Sequence, residues 1–258
     1  MIHPALHRNP VALDREQHKL LRLRRDYADP SHLAGLNSFF VANFEFADAC
    51  RLHPVVWIPA GNDAAGQPQV APVAVFGLAP GENLYLDGKT WKPCYLPALL
   101  RTHPFAVARS GETQLTLCVD AAFPGLSLTE GERLFTDDGA LTAFTSAVKQ
   151  QLEELEVDVE RTRLLGSRLL ELKLLKEMRF EATPPEGEAF SVDGFLSIDE
   201  QRLAELPDAE VLELHRHGVL GLIHMHRLSL GHLRTLADWR VLRLRAAKAG
   251  ASSTATRS

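Results

Sequence analysis

A stripe of apolar residues after Gly139 does most to constrain what this chain can fold into. Leu141, Phe144, Val148, Leu152, Leu155 and Val159 recur at spacings of three and four, and Leu165, Leu169 and Leu172 continue the series. That period is one face of a long amphipathic helix, and such a face needs an apolar layer to cover it. Gly166 interrupts the helix at a cost of about 1 kcal/mol relative to alanine, which predicts a kink or the close approach of a neighbour.

Upstream residues supply the second layer. Val55 to Ile58 is a β-branched and aromatic run stopped by Pro59, and Val70 to Leu78 is the next strand, with Pro72 expected at its start or on an edge. Asn83 to Asp87 follows the Pro80-Gly81 turn and leads into an Asp87-Gly88 hairpin. Phe105 to Arg109 and Gln114 to Asp120 flank Ser110-Gly111 as an antiparallel pair. These runs predict one meandering sheet over residues 55–120. A helix from Phe44 to Leu52, capped by Asn43 and closed by Pro54, precedes it. Tyr95 to Arg101 is expected as a helical stretch with Pro97 in its first turn.

Beyond the long helix, Met178 to Ala182 and Glu188 to Ile198 flank Pro184-Pro185 as a further hairpin. Phe180, Phe190, Val192 and Phe195 would form its buried side. Short helices start at Asp199-Glu200 and Pro207-Asp208, the second ending near His217-Gly218, and a last helix runs from Val219 towards Arg245. The expected fold is α+β: an antiparallel meandering sheet packed against the long amphipathic helix and a C-terminal helical segment. Residues 1–36, polar and punctuated by prolines, form an arm, residues 37–245 a single domain, and residues 246–258 a disordered tail.

Composition excludes several function classes. With 45% hydrophobic and 24% charged residues, the 258-residue chain is an ordinary globular protein able to bury a large core. A net charge of -5 provides no global field for a polyanion, so nucleic acid is not expected as a partner. The basic clusters Arg22, Arg24, Arg25 and Arg240, Arg243, Arg245 fit solvated helix surface. Cys50, Cys94 and Cys118 have neither metal-knuckle nor disulfide spacing, the N-terminal residues lack a secretory apolar core, and no segment has the length of a membrane span. A cytoplasmic location is expected, without a signal peptide.

Catalytic signatures are missing. No HExxH, Walker loop, GxGxxG or GxSxG occurs. Among His215, His217, His224, His226 and His232 no two stand three or four apart, so no helical face brings a pair together, and neither metal nor cofactor is expected. Asp137-Asp138-Gly139 before the long helix suits its positive end. Cys94 and Cys118 are expected to be buried structural thiols. The segment from Gly77 to Phe105 remains. Asn83, Tyr85, Trp91, Tyr95 and Arg101 combine flat apolar surface with a few directional polar groups, the mixture a small-ligand or peptide pocket uses.

These residues also carry a family resemblance. Gly77-Leu78, Gly81-Glu82-Asn83-Leu84, Trp91, Tyr95-Leu96-Pro97-Ala98, Arg101 and Pro104-Phe105 resemble the bacterial SapC family, as do Gly131 to Phe135, Gly194-Phe195 and Leu214 to Gly218. The similarity runs from about Asn9 to Leu236. It implies a soluble chain linked by its family name to a surface layer, with no established enzymatic activity and no assigned catalytic residues. Such chains often lie in gene neighbourhoods with outer-membrane receptors and oxygenase- or halogenase-like proteins. The resemblance therefore implies a non-catalytic accessory protein of a bacterial surface-layer or nutrient-uptake system, with a protein partner such as an outer-membrane uptake or modification component. The alternative is an enzyme or enzyme subunit acting on a small molecule or peptide near Trp91, Tyr95 and Arg101. The unrelated peptide-uptake permease of the same name is excluded by the lack of spanning segments. His53 and His103 depart from the family pattern, which has an aromatic residue, usually tyrosine, before each proline.

Overall fold

The computed structural model describes residues 1–24, 29–92, 95–110, 114–183 and 189–255. Arg25, Cys94, Gly111 and Pro184-Pro185 lie outside the described residues. In chain order the elements begin with β1 (Pro10–Ala12), β2 (Arg22–Leu23), β3 (Ser38–Phe40), α1 (Phe46–Leu52), β4 (Val55–Asn62) and β5 (Pro68–Val75). Next come β6 (Leu86–Asp87), β7 (Thr90–Trp91), α2 (Ala98–Arg101), β8 (Phe105–Ser110), β9 (Gln114–Asp120), β10 (Leu126–Ser127) and β11 (Glu132–Arg133). The chain continues with α3 (Ala143–Glu171), β12 (Leu175–Ala182), β13 (Phe190–Ile198), α4 (Glu200–Ala204), α5 (Asp208–Arg216), α6 (Val219–Ser229) and α7 (His232–Ala255). The class is α+β, with antiparallel sheets that do not close.

Two compact units divide these elements. Residues 1–33, 88–90 and 96–160 form the first, and residues 34–87, 91–95 and 161–258 the second. The strands expected to make one meander over residues 55–120 fall into three sheets: β4 and β5 belong to a five-stranded one, β8 and β9 to a three-stranded one, and the end of the Asn83 to Asp87 run to the β6–β7 pair. In the first unit β9 lies between β1 and β8, with Val11 opposite Val119 and Val107 opposite Leu117. Residues 10–12 are thus a strand of this sheet, joined by backbone hydrogen bonds. Phe144, on the first turn of α3, meets Phe105 edge to face at 6.1 Å, so the apolar stripe covers β8. Asp137 and Asp138 do not cap α3. Thr142 does, its hydroxyl accepting the Thr145 amide at 3.3 Å, because the helix begins only at Ala143, while Asp137 pairs with Arg133 at 2.7 Å.

The second unit holds a five-stranded sheet in the order β12, β13, β4, β5, β3. Pro72 sits on an interior strand, not an edge. Its carbonyl accepts the Val41 amide at 3.1 Å, just beyond the stretch where β3 pairs with Val73 to Val75, so the donor it lacks falls where the ladder has ended. Gly166 on α3 explains its own presence. A Cβ there would lie 2.8 Å from the Val70 carbonyl oxygen and 3.5 Å from the Trp57 ring, so helix and sheet approach as closely as they do only over glycine. Asn43 does not cap α1, which starts at Phe46. Instead Glu45 accepts the Ala42 amide at 2.8 Å. The single C-terminal helix of the sequence reading is two, α6 and α7, broken at Leu230-Gly231. The Ser229 hydroxyl donates to the His226 carbonyl at 2.7 Å and competes with the helical ladder there. α7 continues past Arg245 to Ala255.

Candidate functional site

Four of the five residues singled out from the sequence lie in the second unit, around an aromatic cluster. Asn83 starts the arrangement: its side-chain oxygen accepts the Tyr85 amide at 3.1 Å, a local turn that aims Tyr85 inward. The Tyr85 hydroxyl donates to the Leu52 carbonyl at 2.7 Å, and burial pushes its pKa up. Trp91 stacks on Tyr85 at 5.9 Å and meets Phe76 edge to face at 5.1 Å. Trp239 of α7 closes the other side of Tyr85 at 5.2 Å.

Tyr95 is the polar junction. Its backbone carbonyl accepts the Trp91 indole N–H at 3.1 Å and lies 3.4 Å from His53 Nε2, while its hydroxyl donates to the buried carboxylate of Glu45. His53 is fully buried, 4.5 Å from the Tyr85 ring centroid, and its Nδ1 has no hydrogen-bond partner. Burial holds its pKa at about 4, against a smaller opposite effect of the Tyr95 carbonyl. Its ring is therefore neutral at pH 7.

Helix α7 anchors the segment that carries these residues. Arg243 donates to the carbonyls of Asn83 and Leu86, both at 2.7 Å, and Arg240 donates to that of Leu78 at 3.1 Å. Two members of this basic cluster, Arg240 and Arg243, are thus tied to backbone carbonyls, while Arg245 lies on the exposed surface of α7. Gly77 is fixed by the same geometry, because a Cβ there would stand 2.0 Å from the Glu82 carbonyl oxygen. What remains at the rim is half-buried Trp91 and Tyr95 with exposed Lys92, whose ammonium lies 5.4 Å from the Trp239 ring centroid. Arg101, exposed at the end of α2, belongs to the first unit.

Sequence reasoning missed Glu45, Lys92 and Trp239. Nothing local marks them, since they reach the cluster from separate elements, although the i, i+3 relation of Trp239 to the buried Leu236 places it beside the core-facing stripe of α7. The C-terminal histidines do not converge. His226 is buried: its Nδ1 donates to the Val55 carbonyl at 2.8 Å, and its Nε2 accepts the Ile198 amide at 3.3 Å and lies 3.1 Å from Ser197 Oγ, while His215, His217 and His224 are exposed. Cys50 and Cys118 are buried free thiols, and burial pushes Cys50 up to about 12. Among the described residues no cluster of histidine, cysteine and carboxylate side chains has an arrangement able to hold a metal ion.

The first unit has a polar cluster of its own. His103 stacks on His32 at 4.8 Å, lies 5.6 Å from His7, and places Nε2 3.8 Å from the Asp120 carboxylate. Asp120 accepts the amides of Asn9 at 2.7 Å and Ala122 at 3.2 Å, which ties the β1 and β9 ends together. Burial, aided by the charges of His32 and His7, holds His103 at about 4.

Among the described residues no helix is long and apolar enough to cross a membrane. No curated protein and no solved structure matches the chain. The SapC family model matches residues 13–236, a span containing both clusters except for His7 and Trp239. The chain belongs to the SapC family.

Proposed function

We propose that this chain is a non-catalytic accessory or interaction protein of a bacterial surface-layer or nutrient-uptake system. In this proposal the rim formed by Trp91, Lys92 and Tyr95 meets a protein partner. One observation carries the proposal: the groups of the aromatic cluster able to do acid–base or nucleophilic chemistry are committed to the fold. Tyr85 and Tyr95 donate to Leu52 and Glu45, and His53 is enclosed and neutral. The half-buried indole and phenol beside a lysine have the composition of an interface anchor. Asn83 and Tyr85 act from below, as the floor that holds Trp91 in place.

The test is affinity purification of the intact chain from its native lysate, followed by reconstitution of any recovered pair from purified components. A defined stoichiometric partner whose binding weakens at least tenfold with Lys92→Glu supports the proposal. A chain that stays monomeric and recovers no specific partner overturns it. Binding of a small molecule or peptide lost in Trp91→Ala and Arg101→Ala variants of unchanged stability would replace it with the enzyme reading.

A further inference from the structure

A second concavity lies within the second unit, between the β12–β13 hairpin and α7. Its volume is about 330 Å³, at the small end of the range for ligand sites. Phe180 and Ala182 stand two apart on β12 and so share one face of the strand, and Phe190 is the cross-strand partner of Ala182. The Arg240 guanidinium lies 4.7 Å from the Phe190 ring centroid and holds that ring in place. From α7 come Arg234, Ala237, Asp238 and Val241, at offsets of three, four and seven that put all four on one helical face.

That face carries two opposite charges. Arg234 and Asp238 are exposed and stand four apart, a spacing at which opposite charges readily pair. Yet neither has an ion pair or a side-chain hydrogen bond with any described residue. By contrast, Glu181 at the same cavity is engaged by Arg179 at 3.4 Å. An apolar slot is thus flanked by one cation and one anion, each one helical turn from the other.

We propose that this cavity binds a small zwitterion with an apolar side chain, namely a free α-amino acid bearing an aromatic or branched aliphatic group. Arg234 takes the carboxylate, for which its planar fork is the matched donor. Asp238 takes the ammonium. The side chain enters between Phe180, Phe190 and Val241, where burial of apolar surface adds to the two charge-assisted contacts. A simple carboxylic acid would leave Asp238 facing the slot without a cation, and a simple amine would leave Arg234 without an anion.

Isothermal titration calorimetry of the full chain with L-phenylalanine and with L-leucine tests the proposal. 3-Phenylpropionate and phenethylamine serve as probes that each lack one charge. Saturable one-to-one binding of at least one amino acid is expected, with each single-charge probe weaker by about tenfold or more, the loss of one charge-assisted contact. Arg234→Gln and Asp238→Asn should each weaken amino-acid binding by a similar factor. Both sites are exposed and have no partner among the described residues, so these substitutions should leave the melting temperature unchanged. Val241→Trp, which fills the slot, should abolish binding, whereas Lys92→Glu should leave it intact and so separates this site from the partner-binding rim. The proposal is overturned by the absence of saturable heat with both amino acids, or by binding that is indifferent to Arg234→Gln and Asp238→Asn.

Discussion

His103 in the first unit and His53 in the second both precede a proline, both are enclosed, and both are held at a pKa of about 4, yet their surroundings differ in kind. His103 stands among His7, His32 and the Asp120 carboxylate. His53 stands among Phe76, Tyr85 and Trp91, and its polar partner among the described residues is the Tyr95 carbonyl. One imidazole has a counter-charge waiting if it is protonated, and the other has none among the described residues. Similar titration behaviour therefore arises from two designs: a polar cluster whose members restrain each other, and an aromatic cage that keeps charge out. The Asp120 carboxyl shows the balance within the first design. Burial pushes it up, but the amides of Asn9, Arg8 and Ala122 and the nearby His103 outweigh that, and its net shift is downward.

The largest expected effect comes from a histidine that follows neither design. His226 is bonded to Ser197, Ile198 and Val55 at once, so His226→Ala leaves several buried polar groups unpaired and should cost roughly 3 kcal/mol in chemical denaturation. A cost below about 1 kcal/mol would show that water replaces the ring and that hydrogen bonding in the second unit is not specific to it.

Asp120→Ala should come next, at about 2 kcal/mol, because it strands the amides of Asn9 and Ala122. Amide hydrogen exchange should rise at β1 and at the end of β9. Asp120→Asn keeps an acceptor for those amides and removes only the charge, so it should lower the pKa of His103 further. An NMR titration that finds His103 unmoved by Asp120→Asn would break the polar-cluster account.

Acid should weaken both units. The folded-state pKa values of His53, His103 and His226 lie below the ordinary 6.5, so the unfolded chain takes up these protons first. Stability is complete above about pH 6.5 and declines as pH falls towards 4, by on the order of 1 kcal/mol or more for each group. Denaturation midpoints measured from pH 7 to pH 4 check this, and a flat profile would contradict the burial of neutral rings.

The smallest effect is expected for His53→Phe. The ring it replaces leaves Nδ1 unpaired in an aromatic cage, so the change should alter stability by under about 1 kcal/mol at pH 7 and reduce the acid sensitivity of the second unit. The corresponding His103→Phe should be costlier, since besides a carbonyl contact to Leu6 like the one His53 makes with Tyr95 it removes the imidazole beside the Asp120 carboxylate. Equal costs at the two positions would erase the distinction between them.

Much of the local structure was legible in the sequence. The stripe from Phe144 to Leu169 gave α3, the Phe105 to Asp120 alternation gave the β8–β9 hairpin, and His217-Gly218 ended α5, with Gly218 in the left-handed region at φ 73°. Each of these depends on neighbours a few residues away. The break between α6 and α7 was not legible, because it turns on the Ser229 hydroxyl, whose partners His226 and Val55 include a residue on a distant strand. At the candidate site the sequence supplied Asn83, Tyr85, Trp91 and Tyr95, but neither Glu45 nor Trp239, which arrive from other elements.

The sequence by itself determined the class of fold, the family, and the turns that shape the segment from Gly77 to Trp91, since periodicity and turn chemistry are properties of short stretches of chain. Only the tertiary structure decided the division of strands among separate sheets, the engagement of Arg240 and Arg243 with backbone carbonyls, and the placing of Arg234 and Asp238 beside an apolar slot without a partner among the described residues. Those outcomes depend on which groups meet across long sequence separations. A side chain's type fixes what it can bond, but only packing fixes what stands within reach.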